Sequence, residues 1–112
     1  MAKYMMFAFT NPVEGKEEEY NHWYDKVALP VYKDIPDTKT VGRFKAVPHK
    51  GYEFERPNDY GYVSVYEIET DDLDAHFKTV KEYLATVGAE RGYYFTDTID
   101  KDRFFEPLFI QL

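Results

Sequence analysis

The residues best suited to chemistry cluster first in the stretch EYNHWYDKVALPVY, Glu19 to Tyr32. It holds the chain's single tryptophan, Trp23, one of the three histidines, His22, and Tyr20, Tyr24 and Tyr32. A second histidine, His76, sits in TDDLDAHFKTVKEYLA. Histidine is the natural general acid or base near neutral pH. A buried tyrosine needs a partner for its hydroxyl, so Tyr24 and Tyr66 are candidate donors to a ligand carbonyl. Arg43 is a candidate holder of a carboxylate or enolate. The competing reading is a cross-strand salt bridge from Glu67 to Arg43 or Lys45.

Other chemistries are excluded or unsupported. The chain has no cysteine, which removes thiol catalysis, disulfides and thiolate metal sites. Its histidines are dispersed and no H-x-x-x-H or paired acidic motif occurs, so no metal is expected. No Gly-rich phosphate loop, G-x-S-x-G or dinucleotide fingerprint is present, so no nucleotide cofactor is expected.

These groups must be positioned by one small domain of 112 residues. The net charge of −7 disfavours nucleic acid and anionic membrane surfaces as partners. No apolar run approaches the roughly 18 residues of a membrane-spanning helix. MAKYMMFAFT lacks the long apolar region of a signal peptide and reads as a strand. A cysteine-free chain of this kind fits the cytoplasm. Aromatic residues make up 19% of it, as core and interface filler or as the walls of a cavity for an apolar or planar ligand.

Lys3 to Thr10 predicts a first strand, apolar on both faces. A helix starts near Lys16, and Tyr20, Trp23, Tyr24, Val27, Ala28 and Val31 form its stripe. His22, Asp25 and Lys26 fall on the wet side. Pro30 should end or kink the helix near Leu29, with a short helical turn following to about Ile35. Thr38 to Val47 predicts a second strand, with Arg43 and Lys45 on one face. His49 to Asp59 reads as a loop or extended hairpin, with His49 a solvated loop residue. Tyr60 to Glu69 is a third strand. Tyr62, Ser64, Tyr66 and Ile68 share one of its faces. That face lines a pocket if it meets the helices, and forms an interface if it meets a partner sheet. A second helix follows, capped by Thr70 or Asp71, with Leu73, Phe77, Val80 and Leu84 as its stripe and Gly88 at its end. His76 borders that stripe. Arg91 to Arg103 is an irregular connection, and Phe104 to Leu112 a last apolar strand with Pro107 at an edge or bulge.

The order β-α-β-β-α-β predicts an α+β, ferredoxin-like fold: a four-stranded antiparallel sheet with two helices on one face. Strands apolar on both faces need a cover on the other side. A second copy of the sheet supplies it, which predicts a homodimeric α+β barrel.

FTNPVEGKEEEYNHWYD, Phe9 to Asp25, resembles the opening of EthD-like dimeric α+β barrel proteins. The residues carrying the likeness are Thr10, Asn11, Pro12, Gly15, Glu19, Tyr20, Asn21, Trp23, Tyr24 and Asp25. VGRFKAV resembles the family's second strand and YVSVYEIET its third. FFEPLFIQL fits the fourth more loosely. The resemblance implies cofactor-free chemistry on hydrophobic, often aromatic compounds: isomerisation, cyclisation, dehydration, lyase or monooxygenase reactions. One departure stands out. Similar proteins continue with His-Leu-Pro-Asp, where this chain has Ala28-Leu29-Pro30-Val31. Ala28 cannot move a proton, and it leaves room beneath the helix.

The expectation is therefore a homodimer binding a hydrophobic or aromatic carbonyl or phenolic compound. Tyr24, His76, Tyr66 and Arg43 are the candidate catalytic groups. Trp23, Tyr20, Ala28 and Tyr62 are the candidate ligand-binding residues. The alternatives are a catalytically silent ligand-binding relative and a cofactor-independent monooxygenase.

Overall fold

The computed structural model describes residues 1–47 and 60–112. His49 and the expected loop or hairpin around it lie outside the described residues. The elements run β1 (Ala2–Thr10), α1 (Glu17–Trp23), α2 (Leu29–Lys33), β2 (Thr38–Lys45), β3 (Tyr62–Thr70), α3 (Leu73–Tyr83) and β4 (Leu108–Ile110). The four strands form one antiparallel sheet in the order β2-β3-β1-β4. This is the expected ferredoxin-like α+β arrangement.

The helical phase read from the sequence holds. Tyr20, Tyr24 and Ala28 are buried, while His22, Asp25 and Lys26 are exposed. Pro30, however, does not stop the helix. A π-helical turn, Tyr24–Ala28, joins α1 to α2, and the Leu29 N–H reaches back five residues to the Tyr24 carbonyl. Pro30 then falls in the first turn of α2, where a missing N–H costs little. A second π turn, Leu84–Gly88, extends α3. The cap of α3 is also one residue later than expected. Asp72 accepts from the Ala75 N–H at 3.0 Å, while the Thr70 hydroxyl accepts from the Asp72 N–H at 3.1 Å.

Pairing settles which face of β3 meets the helices. Tyr62, Ser64, Tyr66 and Ile68 lie opposite Thr10, Ala8, Met6 and Tyr4. Tyr66 stacks on Tyr32 of α2, with centroids 4.6 Å apart, and Tyr62 packs on Tyr20 of α1 at 5.1 Å. This face is therefore the helix-covered one. A bulge between Thr40 and Gly42 shifts the phase of β2. Thr38 and Thr40 before it, and Arg43 and Lys45 after it, consequently all point to the helices. Val41 falls in the bulge, so it does not continue the face of Arg43 as a straight strand would require. Gly42 takes φ +155°, which favours glycine there.

The other sheet face is aromatic. Phe7 meets Phe109 edge-on at 5.6 Å, and Phe9 packs with Phe105 and Tyr60. Phe44, Phe105 and Phe109 remain 51, 52 and 58% exposed. The last strand is shorter than the expected Phe104 to Leu112. Its register with β1 nevertheless begins earlier, at the isolated Phe9–Phe105 bridge. It runs on through Phe7 N–H to the Pro107 carbonyl (3.0 Å) and Met6 opposite Leu108. Glu106 is thereby set opposite Ala8, on the helix-covered side.

Candidate functional site

The matched residues between Thr10 and Asp25 form a knot that ties three elements together. Thr10, wholly buried at the end of β1, shares a short hydrogen bond with the Tyr20 hydroxyl and accepts from Tyr24 Oη at 3.5 Å. Asn11 Oδ1 accepts from the Gly61 N–H at 2.9 Å, anchoring the start of β3. Arg43 on β2 donates to Asn21 Oδ1 at 2.7 Å and Asp25 Oδ1 at 2.9 Å. Its guanidinium lies 4.6 Å from the centre of the Tyr24 ring, 5.5 Å from that of Tyr20 and 5.7 Å from that of Tyr62. Burial raises the Tyr20 and Tyr24 hydroxyls above their usual pKa, so they stay neutral donors.

Arg43 does not pair with Glu67. The bulge turns Arg43 to the helices, while Glu67 faces away and meets Lys3 at 3.4 Å. Lys45 pairs instead with Glu17 at 3.1 Å, and Glu17 also accepts from the Tyr62 hydroxyl. Ala28 is 1% exposed inside the Tyr20–Tyr24 cluster, against which Trp23, Tyr62, Tyr93 and Ile99 pack. It does not line the cavity described next.

That cavity lies between α3 and the sheet and has a volume of about 240 Å³. Its apolar wall is Met6, Ile68, Phe77, Val80 and Leu84; its polar groups are Tyr32, Thr38, His76, Lys81 and Glu106. His76 is 7% exposed, and its Nε2 lies 3.5 Å from Thr38 Oγ1. Burial lowers its pKa from 6.5, against the opposing pull of Asp37, and so favours the neutral imidazole. Glu106 remains open to solvent on one side, yet partial desolvation of its carboxyl raises its pKa from 4.5. An imidazole favoured in its neutral form and a carboxyl whose pKa is raised by desolvation thus face one cavity, two groups able to exchange a proton with a ligand. A larger groove of about 520 Å³ runs along Asp25, Leu29, Lys33, Lys39 and Thr40.

Of the candidate catalytic and ligand-binding residues named from sequence, only His76 lines the small cavity. Tyr66 lies behind Tyr32, 3% exposed, its hydroxyl also pushed up by burial. Tyr24, Tyr20, Tyr62 and Arg43 belong to the knot. Trp23 lines a separate cleft of about 360 Å³. Sequence reasoning missed Glu106, and it placed Tyr32 in the cluster without giving it a site role. The signal for Glu106 was a lone carboxylate inside FFEPLFIQL. The signal for Tyr32 was its place one turn beyond Ala28, hidden by the expected break at Pro30. Among the described residues, no group of three or more metal-ligating side chains occurs.

No protein-family model matches the sequence, and no curated protein matches it. Solved structures do. A NIPSNAP-like domain protein from Burkholderia xenovorans matches with TM-score 0.63 at 10% identity, over 98% of this chain and 85% of its own. A Dabb-family protein with a ferredoxin-like fold from Mesorhizobium loti matches with TM-score 0.60 at 12% identity, over 100% and 99%. An EthD-family protein from Bacillus halodurans matches with TM-score 0.48 at 11% identity, over 100% of both chains. At such identities the first two likenesses show the fold alone, which is ferredoxin-like α+β. Among the described residues, no helix is long and apolar enough to cross a membrane.

Proposed function

We propose that this chain is an EthD-like dimeric α+β barrel protein that binds a small hydrophobic or aromatic carbonyl or phenolic compound. The site is the cavity between α3 and the sheet, and the chemistry is cofactor-free proton transfer of the isomerase, cyclase, dehydratase or lyase kind. The observation that carries this reading is the pair His76 and Glu106 on an otherwise apolar, tyrosine-lined wall. Neutral His76 removes a proton next to the ligand carbonyl. The Tyr32 hydroxyl, kept neutral by burial, donates to the oxygen where charge develops, and Glu106 can return a proton to the ligand. At about 240 Å³ the cavity suits a single ring with its substituents.

This reading moves the catalytic role within the proposal. His76 keeps it. Tyr66 supports Tyr32 from behind, and Tyr24 and Arg43 hold the fold around the site.

A second reading is supported by Ala28. The position where similar proteins offer a histidine is closed by packing, which favours a ligand-binding relative without turnover. Dimerisation is part of the proposal. The ring-rich face of Phe7, Phe9, Phe44, Phe105 and Phe109 is the surface a second sheet would cover.

The test is a thermal-shift screen of monocyclic phenolic alkyl ketones, followed by deuterium exchange at the C–H next to the carbonyl. Binding with exchange that is lost in His76→Ala supports catalysis. Binding without exchange supports the silent relative. No shift with any such compound defeats the reading.

A further inference from the structure

We infer that the His76 cavity and the Trp23 cleft are two chambers of one binding site, and that the site takes an elongated ligand with two ring systems. The oxygenated end sits beside His76 and Glu106, and the apolar ring end lies between Trp23 and Phe104. This rests on the reading above and adds the ligand's length and polarity.

The chambers share Tyr94. It lines the His76 cavity with Tyr32, Leu84 and Glu106, and it lines the cleft with Trp23, Tyr93, Ile99, Lys101 and Phe104. Beneath both runs an unbroken row of rings. Trp23 lies 5.4 Å from Tyr93, Tyr93 lies 5.9 Å from Tyr32, and Tyr32 stacks on Tyr66 at 4.6 Å. The Tyr93 hydroxyl donates to the Tyr32 hydroxyl at 3.5 Å, which bridges the floor at the boundary. Tyr94 stands edge-on against Tyr93 at 5.1 Å and is 56% exposed, so it forms a movable partition rather than a packed wall.

The chambers differ in character in a way that orients a ligand. The His76 side concentrates the titratable groups His76, Glu106 and Lys81. The Trp23 side is walled by Trp23, Tyr93, Tyr94, Ile99 and Phe104, with polar groups from Thr96, Lys101, the tyrosine hydroxyls and the indole N–H. Flat ring walls of this kind favour stacking and edge contacts with another aromatic system. The chambers, of about 240 Å³ and 360 Å³, each have room for a ring system, so a ligand that passes Tyr94 can place one ring in each.

The experiment compares hydroxybenzaldehyde, with one ring, and a hydroxybiphenyl carbaldehyde, with two. Binding of each is measured by calorimetry to the wild type, Phe104→Ala and His76→Ala. Phe104 is about half exposed, so its truncation spares the fold. The two-ring compound is expected to bind about tenfold more tightly than the one-ring compound. It should lose about that factor in Phe104→Ala, where the one-ring compound stays within about twofold. Both compounds should weaken in His76→Ala. Tyr94→Ala should change affinity for the two-ring compound more than for the other. A two-ring compound indifferent to Phe104→Ala, or one weakened by Phe104→Ala but not by His76→Ala, overturns the joined site. In both cases binding of the one-ring compound in the His76 cavity still stands. If neither compound binds, both readings fall together.

Discussion

The Arg43 guanidinium lies over the Tyr24 ring, 4.6 Å from its centre, and holds Asn21 and Asp25 of the same helix by one nitrogen each. A side chain that looked available for a substrate is fully engaged. Its donors tie β2 to the junction of α1 and the π turn. Arg43→Ala should therefore cost about 1–2 kcal/mol of stability, at the low end because Asp25 is more than half exposed. Arg43→Lys should recover less than half, since an ammonium cannot fork to two acceptors. Urea denaturation measures both, and a fully stable Arg43→Ala protein would contradict the structural role.

Thr10 and Tyr20 satisfy each other's buried hydroxyls. Removing one takes the main partner from the other, with Tyr24 still donating to Thr10 at 3.5 Å, at about 1 kcal/mol. Thr10→Val and Tyr20→Phe should each destabilise by that order, and the double variant by clearly less than their sum. Strict additivity in a double-mutant cycle would show that the bond contributes nothing.

The pKa of His76 is lowered by burial, so the unfolded chain binds its proton more tightly than the native one. Native stability then rises with pH up to about the unfolded value of 6.5, and falls as acid drives protonation in the folded state. His76→Gln should flatten this limb of the stability curve. By NMR the ring should titrate below 6.5. Glu106 works in the opposite sense. Its raised pKa contributes stability below 4.5 that is lost as pH rises through the native value.

Gly88 closes the second π turn in an ordinary helical conformation. A Cβ there would meet Leu84 Cδ2 at 3.4 Å and both Val31 Cγ1 and Tyr93 Cβ at 3.5 Å, which is normal contact. Gly88→Ala should therefore be neutral or stabilising by up to about 1 kcal/mol, since alanine stiffens the unfolded chain. Gly88→Val should overpack the same junction and cost about 1–3 kcal/mol. Melting temperatures moving the other way would place the helix junction elsewhere.

Phe109 and Phe44 stand on the aromatic sheet face away from the helices. If a second sheet covers that face, Phe109→Asp with Phe44→Lys should give a species of 13.3 kDa by light scattering, against twice that for the wild type. A wild type that is already monomeric at micromolar concentration refutes the dimer.

The sequence was most legible where one periodicity dominated. Tyr20, Tyr24 and Ala28 announced a buried stripe, and Tyr62 to Ile68 an alternating strand. Phase-shifting features were harder to see. The π turn at Tyr24–Ala28 has no composition of its own, so Pro30 read as an end or kink rather than as part of one continuous helix. The bulge at Val41 was signalled only by Gly42, and missing it sent Arg43 toward Glu67. Glu106 was hidden because its role depends on register with β1, a long-range pairing that no local pattern encodes. The candidate site is correspondingly the part least readable from sequence: one of its main groups, His76, was named, and the partner facing it was not.

Pro107 gives that edge strand a mechanical character. Its carbonyl accepts from the Phe7 N–H, but it has no N–H to return to the Phe7 carbonyl. The ladder is thus missing a rung beside Glu106, on a three-residue strand at the margin of the sheet. This margin is the part of the sheet most easily peeled back, and peeling it draws Glu106 away from His76. Amide hydrogens of β4 should exchange sooner than those of β3, and a ligand bridging the cavity should slow them. The same proline that loosens the strand would give a bulky ligand its way in.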